Sequence, residues 1–318
     1  MPAIYSKAPG KIILFGEHAV VYGQPAIAIP VTQVHATARV FPILNGRPGD
    51  IRIQAPDIHL DSALSDLPKD DPIATAVQLS LETIGLNSPP AFKLQVTSTI
   101  PIAAGMGSSA AISIVVIRAV SDFFGRHLQT DDVSQLTYQV EKIQHGVPSG
   151  IDNSVIAYQK AVCFTRDKPI EFFDITGSTH WIIADTGEKT PTRVTVGDVR
   201  NRYEEERETY QDYFNRIGAI TQKAKQGLIK GDKERLGNLM DENQHWLAQI
   251  GVSSQNIEHL IEAAREAGAL GAKLSGGGRG GNIIALSPSG EIETITAALL
   301  EAGAKRVIKT ILTQGEGA

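Results

Sequence analysis

Only one cysteine, Cys163, occurs among 318 residues, so the chain has no intramolecular disulfide and no thiolate metal site of its own. Long hydrophobic runs are absent too. The most apolar helical stretch, residues 110–120, is broken by Ser113 and Arg118 and falls short of the roughly 20 residues a membrane span needs. The opening MPAIYSKAPGK lacks the basic-then-apolar plan of a signal peptide. Thirty basic against 35 acidic side chains give a net charge of −5, so there is no bulk positive field to draw in nucleic acid. Any phosphate must be gripped locally. The eight histidines show no H-E-x-x-H or other zinc-ligand spacing. G-x-x-x-x-G-K-[ST] and G-x-S-x-G are both missing, which removes the Walker P-loop and the serine-hydrolase elbow. The expectation is a soluble cytoplasmic protein with neither a nucleic-acid nor a membrane partner.

What is present is ordinary globular composition, with 42 % apolar and 20 % charged residues, Gly 30 and Pro 16. The length fits one large or two moderate domains. Residues 2–43 read as short strands (KIILF, AVVY, AIAIPV, VHATARVFPIL), followed by a hairpin tip around residues 45–50. IRIQA and FKLQVTST continue the strand pattern, with helical spacing over residues 71–86 between them. AAISIVVIRAVSDFF is apolar almost all round, which describes a helix buried in a core. Residues 130–144 have helical spacing, with Thr130 and the two acids after it as N-cap and first turn. Residues 146–150 break that helix, and SVIAYQ and AVCFT resume the apolar pattern. WIIAD opens a second half that holds two charged helical stretches over residues 199–227 and 233–251, and a third over 256–267. A strand, a glycine loop and a strand follow in GAKLSGGGRGGNIIALSP, then a helix over residues 291–302 and VIKTIL. The acidic run at residues 204–206 reads as a solvated helix face. The domain boundary is placed near residues 175–182, giving domains 1–180 and 181–318.

Three segments concentrate small residues. GGGRGG, residues 276–281, satisfies G-x-G-x-x-G literally. That pattern binds a dinucleotide where a helix opens from it, and here the strand NIIAL follows, so the Rossmann reading fails. In PIAAGMGSSAA, residues 101–111, Gly105 and Gly107 let backbone N–H groups turn inward, and Ser108 and Ser109 stand where the buried helix begins. A helix N-terminus suits an anion, and two hydroxyls there add donors or oxygen ligands for Mg²⁺. The structural alternative is that one serine simply caps the helix. In EKIQHGVPSGIDN, residues 141–153, Glu141 closes a helix, a Pro/Gly turn follows, and Asp152 comes after it. The two carboxylates serve as metal ligand and base if they face one pocket; the alternative is a surface glutamate and a turn aspartate capping its own backbone.

APGKIILFGEHAVVYGQPAIA (residues 8–28), PIAAGMGSSAA (101–111) and KLSGGGRGGN (273–282) stand in the order and rough spacing of the three GHMP kinase motifs. The resemblance covers nearly the whole chain. It is closest to the mevalonate kinases, through APGKIILFGEHAVVYG at residues 8–23, HGVPSGIDN at 145–153 and DTGEKTPTRV at 185–194. Galactokinases usually have Thr-Asp after Glu-His, where this chain has Ala19-Val20.

The resemblance implies an α+β fold of two domains, the first similar to the ribosomal protein S5 domain 2-like fold and the second ferredoxin-like, with the active site in the cleft between them. It implies ATP-dependent phosphorylation of the mevalonate 5-hydroxyl. By the same resemblance Asp152 is the catalytic aspartate and Lys11 stands beside it, while Ser109 and Glu141 hold Mg²⁺. Pro101, Ala104, Gly105, Met106, Gly107, Ser108, Ser109 and Ala110 surround the ATP phosphates. Glu17, His18, Thr192, Gly276 and Gly277 form the mevalonate side, and Gly276 to Gly278 support the nucleotide and substrate from the second domain. A homodimer and inhibition by prenyl diphosphates are further expectations of the same kind. Two rivals stay open: a sibling kinase for another small alcohol, and a non-catalytic ligand-binding relative. The chain departs from the family at Arg279, where glycine is usual; the expectation is that Arg279 points away from the concave face of the loop and leaves ATP binding intact.

Overall fold

In a computed structural model of the chain, residues 4–101, 104–145, 148–188 and 190–313 are described. Ile102 and Ala103 of the second glycine segment, Gly146 and Val147 of the expected helix break, and Lys189 lie outside the described residues. The chain groups into two units. One comprises the described residues of Met1–Lys11, Val34–Ile102 and Met106–Gln159; the other those of Ile12–Gln33, Ala103–Gly105 and Lys160–Ala318. The grouping follows contacts, so chain segments alternate between units.

The first unit holds the start of β1 (Ile4–Phe15) and the latter part of β2 (Ala26–Pro42), then β3 (Ile51–Ala55), β4 (Leu60–Ala63), α1 (Pro72–Thr83) and β5 (Phe92–Ser98). Three helices complete it: α2 (Ser108–Phe123), α3 (Thr130–His145) and α4 (Ile151–Tyr158). The second half of β2 pairs antiparallel with β5, from Ala36 opposite Ser98 to Pro42 opposite Phe92. β3 adds in parallel on the far side of β5, and β4 returns antiparallel to β3. Alternate residues point inward, as a half-covered sheet requires: Val34, Ala36, Ala38 and Val40 on β2, and Phe92, Leu94 and Val96 on β5. α2 is the central helix and buries residues on every side, Ala110, Ile114, Val116 and Ile117 among them, which matches its all-round apolar sequence.

The second unit contains a four-stranded sheet in the order β11-β8-β10-β9, built from β8 (Ser178–Asp185), β9 (Gly271–Ser275), β10 (Asn282–Ser287) and β11 (Arg306–Thr313). All three pairings are antiparallel. Between β8 and β9 come α5 (Thr192–Glu205), α6 (Arg207–Lys230), α7 (Lys233–Gln249) and α8 (Gln255–Glu266), and α9 (Ile292–Glu301) joins β10 to β11. A helical crossover, a hairpin and a second helical crossover in that strand order make the sheet ferredoxin-like. Its core gathers Ile182, Ala184, Phe214, Ile217, Leu247, Ile261, Leu274 and Ile283. The first half of β2 pairs with β6 (Ala161–Phe164), which in turn pairs with β7 (Glu171–Phe173). Both units mix helix and sheet, and the fold is α+β.

Several local expectations are corrected. AVVY is not a strand but a 3₁₀ turn, Ala19–Tyr22, closed by left-handed Gly23. Gly16 and His18 both have positive φ just before it, so the chain coils where the apolar run alone suggests extension. AIAIPV and VHATARVFPIL fuse into the single 17-residue strand β2, because Thr32 and Gln33 stay extended. SVIAY, whose apolar pattern left the element type open, lies on α4. The first charged stretch of the second half is two helices, broken at Glu206 with φ −127° and ψ 56°. The E-E-E-R sequence there favours helix throughout and gives no sign of the break.

α7 lies backbone to backbone on the start of β9. A Cβ at Gly237 would stand 2.1 Å from the Leu270 carbonyl oxygen, and one at Gly271 would stand 2.2 Å from that of Gly237. Backbone atoms cannot give way like a side-chain tip, so Gly237→Val is expected to destabilise the protein by about 2–3 kcal/mol. Urea unfolding measures this; an unchanged midpoint would show that the helix moves away freely.

Candidate active site

In the first unit four of the expected site residues form two contacting pairs. Lys11 Nζ lies 3.0 Å from Asp152 Oδ1, with Lys11 almost wholly buried and the Asp152 side chain 32 % exposed. Lys11 comes from β1, where its N–H donates to the Met106 carbonyl at 3.0 Å and so ties the strand to the glycine segment. The Lys11 stem passes directly over Gly107: a Cβ there would stand 2.9 Å from Lys11 Cγ and 2.8 Å from Ile156 Cδ1. Gly107 also has φ +71°, so glycine meets a steric and a conformational demand at once.

Asp152 stands in the first turn of α4, where backbone N–H groups favour a carboxylate. Three side chains dock that short helix. Asn153 donates to the Ser134 carbonyl at 3.1 Å and to its hydroxyl at 2.9 Å, Arg118 donates to the Ala157 carbonyl at 2.7 Å, and the Tyr158 hydroxyl bonds Asp131.

The second pair is Ser109, whose hydroxyl donates to Glu141 Oε1 at 2.6 Å. Glu141 is only 6 % exposed, which disposes of the surface-glutamate alternative. The N-cap of α2 is Gly107, with no side-chain capping bond, so neither Ser108 nor Ser109 is the expected cap. Ser108, Ser109 and Ala110 form the first turn of α2, behind buried Met106, left-handed Gly105 and buried Pro101. Among the described residues no cluster of three or more His, Cys, Asp or Glu side chains is arranged to hold a metal. Two oxygen donors, one carboxylate and one hydroxyl, nevertheless fit Mg²⁺, which binds through few protein ligands and completes its shell with water and phosphate oxygens.

In the second unit the other candidates collect around the third glycine segment. His18 Nε2 lies 2.9 Å from the Gly277 carbonyl oxygen. A carbonyl only accepts, so Nε2 carries the proton and Nδ1 is the free acceptor. A Cβ on Gly277 would stand 3.1 Å from Thr192 Oγ1, so Thr192, the first residue of α5, packs against the same loop residue. Gly276 has φ +91°. Ala104 of the second glycine segment accepts from the Asn282 amide at 2.6 Å. Arg279 adopts the left-handed φ of +53° that its glycine-like position demands. Its guanidinium pairs with Asp198 and donates to the Gly251 carbonyl at 3.1 Å, so the charge is held by protein partners.

The sequence reading gave no role to Lys273. It is fully buried, with Nζ 2.5 Å from Glu17 Oε1. Burial pulls its ammonium below the ordinary lysine value, and Glu17 acts in the opposite direction. The available signal was a lone charged residue inside the small, apolar strand GAKLS.

Burial pushes His18 down to about 4 from its ordinary 6.5, with the Gly277 bond opposing and Arg279 reinforcing the change. His18 is therefore neutral in the folded protein at neutral pH. The unfolded chain takes up the proton first as pH falls, so stability is lost between about pH 6.5 and 4, by about 3 kcal/mol in total. Urea unfolding from pH 7 to pH 4.5 should show a steeper loss for wild type than for His18→Gln; parallel curves would contradict a neutral buried imidazole.

Comparison with known proteins places this geometry. Residues 72–160 match the GHMP kinases N terminal domain, and residues 224–305 match the GHMP kinases C terminal domain. The chain is 37 % identical over 333 aligned positions to a mevalonate kinase of Thermococcus sibiricus, covering 96 % of each protein. It is 34 % identical to one of Pyrococcus horikoshii, covering 94 % of this chain and 93 % of that protein. The crystal structure of L. major mevalonate kinase in complex with R-mevalonate superposes with TM-score 0.83 at 28 % identity, over 99 % of this chain and 97 % of the other. That of the Methanococcus jannaschii mevalonate kinase shares the fold at TM-score 0.86 and 24 % identity, over 99 % of both chains. With both GHMP regions matched and this similarity sustained almost end to end, the chain belongs to the GHMP kinase superfamily and, within it, to the mevalonate kinases.

Proposed function

We propose that this chain transfers the γ-phosphoryl group of ATP to the 5-hydroxyl of mevalonate, releasing ADP and 5-phosphomevalonate. The observation that carries the reading is the contact of Lys11 Nζ with Asp152 Oδ1 at 3.0 Å. The acceptor hydroxyl is a weak nucleophile; as its oxygen bonds to phosphorus, its proton passes to the Asp152 carboxylate and the β–γ bridging bond breaks toward ADP. Lys11 supplies positive charge beside the forming alkoxide and the equatorial phosphoryl oxygens. The first turn of α2, at Ser108 to Ala110, together with Gly105 to Gly107, offers backbone N–H groups and hydroxyls to the phosphates.

Ser109 and Glu141 would hold Mg²⁺, which neutralises charge on the β- and γ-phosphate oxygens when bound. Glu17, His18, Thr192, Gly276 and Gly277 form the mevalonate side. Neutral His18 offers Nδ1 as an acceptor, its Nε2 proton being committed to Gly277. No helix among the described residues is long and apolar enough to cross a membrane, and a small, anionic, water-soluble substrate is consistent with that.

A coupled ADP-release assay across a panel of alcohols tests the reading. Mevalonate should support turnover where phosphomevalonate and galactose do not, and Asp152→Asn should lower kcat by about 10²–10⁴-fold with KM for ATP within a few-fold. Undiminished kcat in that variant would remove Asp152 as the base. Glu141→Gln should raise the Mg²⁺ concentration for half-maximal activity about tenfold or more, read by Mg²⁺ titration at fixed ATP. An unchanged titration would place the metal elsewhere.

A further inference from the structure

Among the described residues, Lys273 is the one buried charge in the second unit's glycine-loop region that the phosphoryl-transfer reading leaves without a role. Its Nζ reaches Glu17 Oε1 at 2.5 Å and the Leu274 carbonyl at 2.6 Å, and it lies 5.9 Å from the centre of the Phe15 ring. Both members of the pair are fully removed from water. Buried ion pairs are poor stabilisers, because desolvation cancels much of the attraction and an apolar pair of similar volume often serves equally well. Stability is therefore a weak explanation for this one.

Its placement suggests a better one. Three of the described hydrogen bonds join residues 13–18 to residues 273–277: the Ser275 hydroxyl to the Ile13 carbonyl at 2.7 Å, Lys273 to Glu17, and His18 to the Gly277 carbonyl at 2.9 Å. Among them, only the Lys273 link fixes a charged side chain assigned to the substrate side. A glutamate has three rotatable side-chain bonds, and a short charge-assisted bond from a donor that is itself pinned by Leu274 and Phe15 selects one arrangement. Glu17 also precedes His18, whose strained φ of +58° survives only where its surroundings hold it.

We propose that Lys273 is a positioning residue for the mevalonate side of the site: it locks the Glu17 carboxyl group in one orientation and holds the Glu17–His18 turn against the glycine loop before substrate arrives. This rests on mevalonate being the substrate. Lys273 acts through Glu17 and takes no part in handling ATP, so its loss should separate the two substrates kinetically.

Steady-state kinetics of four proteins decides the matter: wild type, Lys273→Met, Lys273→Arg and the double variant Glu17→Gln/Lys273→Met. For Lys273→Met we expect KM for mevalonate to rise about tenfold or more while KM for ATP stays within about threefold. Lys273→Arg should recover most of that loss, since it restores the charge. The double variant leaves no lone buried charge, so it should regain folding stability in urea yet keep the raised KM for mevalonate. If instead it regains wild-type KM along with stability, the pair is only a structural staple and the proposal falls. Equal changes in both KM values for Lys273→Met, or none, also overturn it. Should Lys273→Met not fold, Lys273→Gln, which leaves Glu17 in place, is read by the same split between the two KM values. A wild-type protein that turns over other alcohols but not mevalonate sinks the substrate reading itself, whereas an active wild type with an unshifted Lys273→Met sinks this inference alone.

Discussion

The contact between Lys11 and Asp152 is the constraint around which the first unit is built. A lysine inside β1 and an aspartate at the start of a short helix, far apart in sequence, come within 3.0 Å. Neither element fixes that distance by itself. β1 is tied to the glycine segment by the Lys11 N–H bond to Met106, Gly107 leaves room for the lysine stem, and Asn153 and Arg118 dock α4 on its neighbouring helices. Phosphoryl transfer depends on charge placed where it develops, so the supporting bonds matter as much as the two charged groups.

The second unit handles charge differently. Where the first leaves Asp152 partly open to solvent, the second encloses the Glu17–Lys273 pair completely and keeps His18 neutral by burial. Its glycine segment does not resemble a phosphate loop that opens a helix. It is the connection between two antiparallel strands, with Gly277 serving as the common contact of His18 and Thr192. Arg279 shows how the loop tolerates a large residue: Asp198 and Gly251 take up its guanidinium while its backbone keeps the left-handed conformation.

Much of the fold was legible in the sequence. The all-round apolar character of α2 announced a buried central helix, and the strand–loop–strand context of GGGRGG by itself excluded a dinucleotide site. What misled were short segments whose local pattern was outvoted. AVVY has strand composition, yet two positive-φ residues ahead of it coil the chain into a 3₁₀ turn. The break at Glu206 falls within residues that all favour helix, so packing and not propensity placed it. Ser109 read equally well as a cap or a ligand, because both uses need the same hydroxyl at the same helix start; the structure puts Gly107 at the N-cap and turns the Ser109 hydroxyl to Glu141 at 2.6 Å, which removes the capping use.

By itself the sequence determined the family and the α+β class and singled out the candidate site residues, since three motifs in fixed order carry that information in residue type and spacing. It left open which groups touch. The pairing of Lys11 with Asp152, the tautomer and neutrality of His18, and the buried partnership of Lys273 with Glu17 were decided by tertiary structure alone. Contact distance and desolvation depend on residues brought together from distant parts of the chain, and no local pattern encodes either.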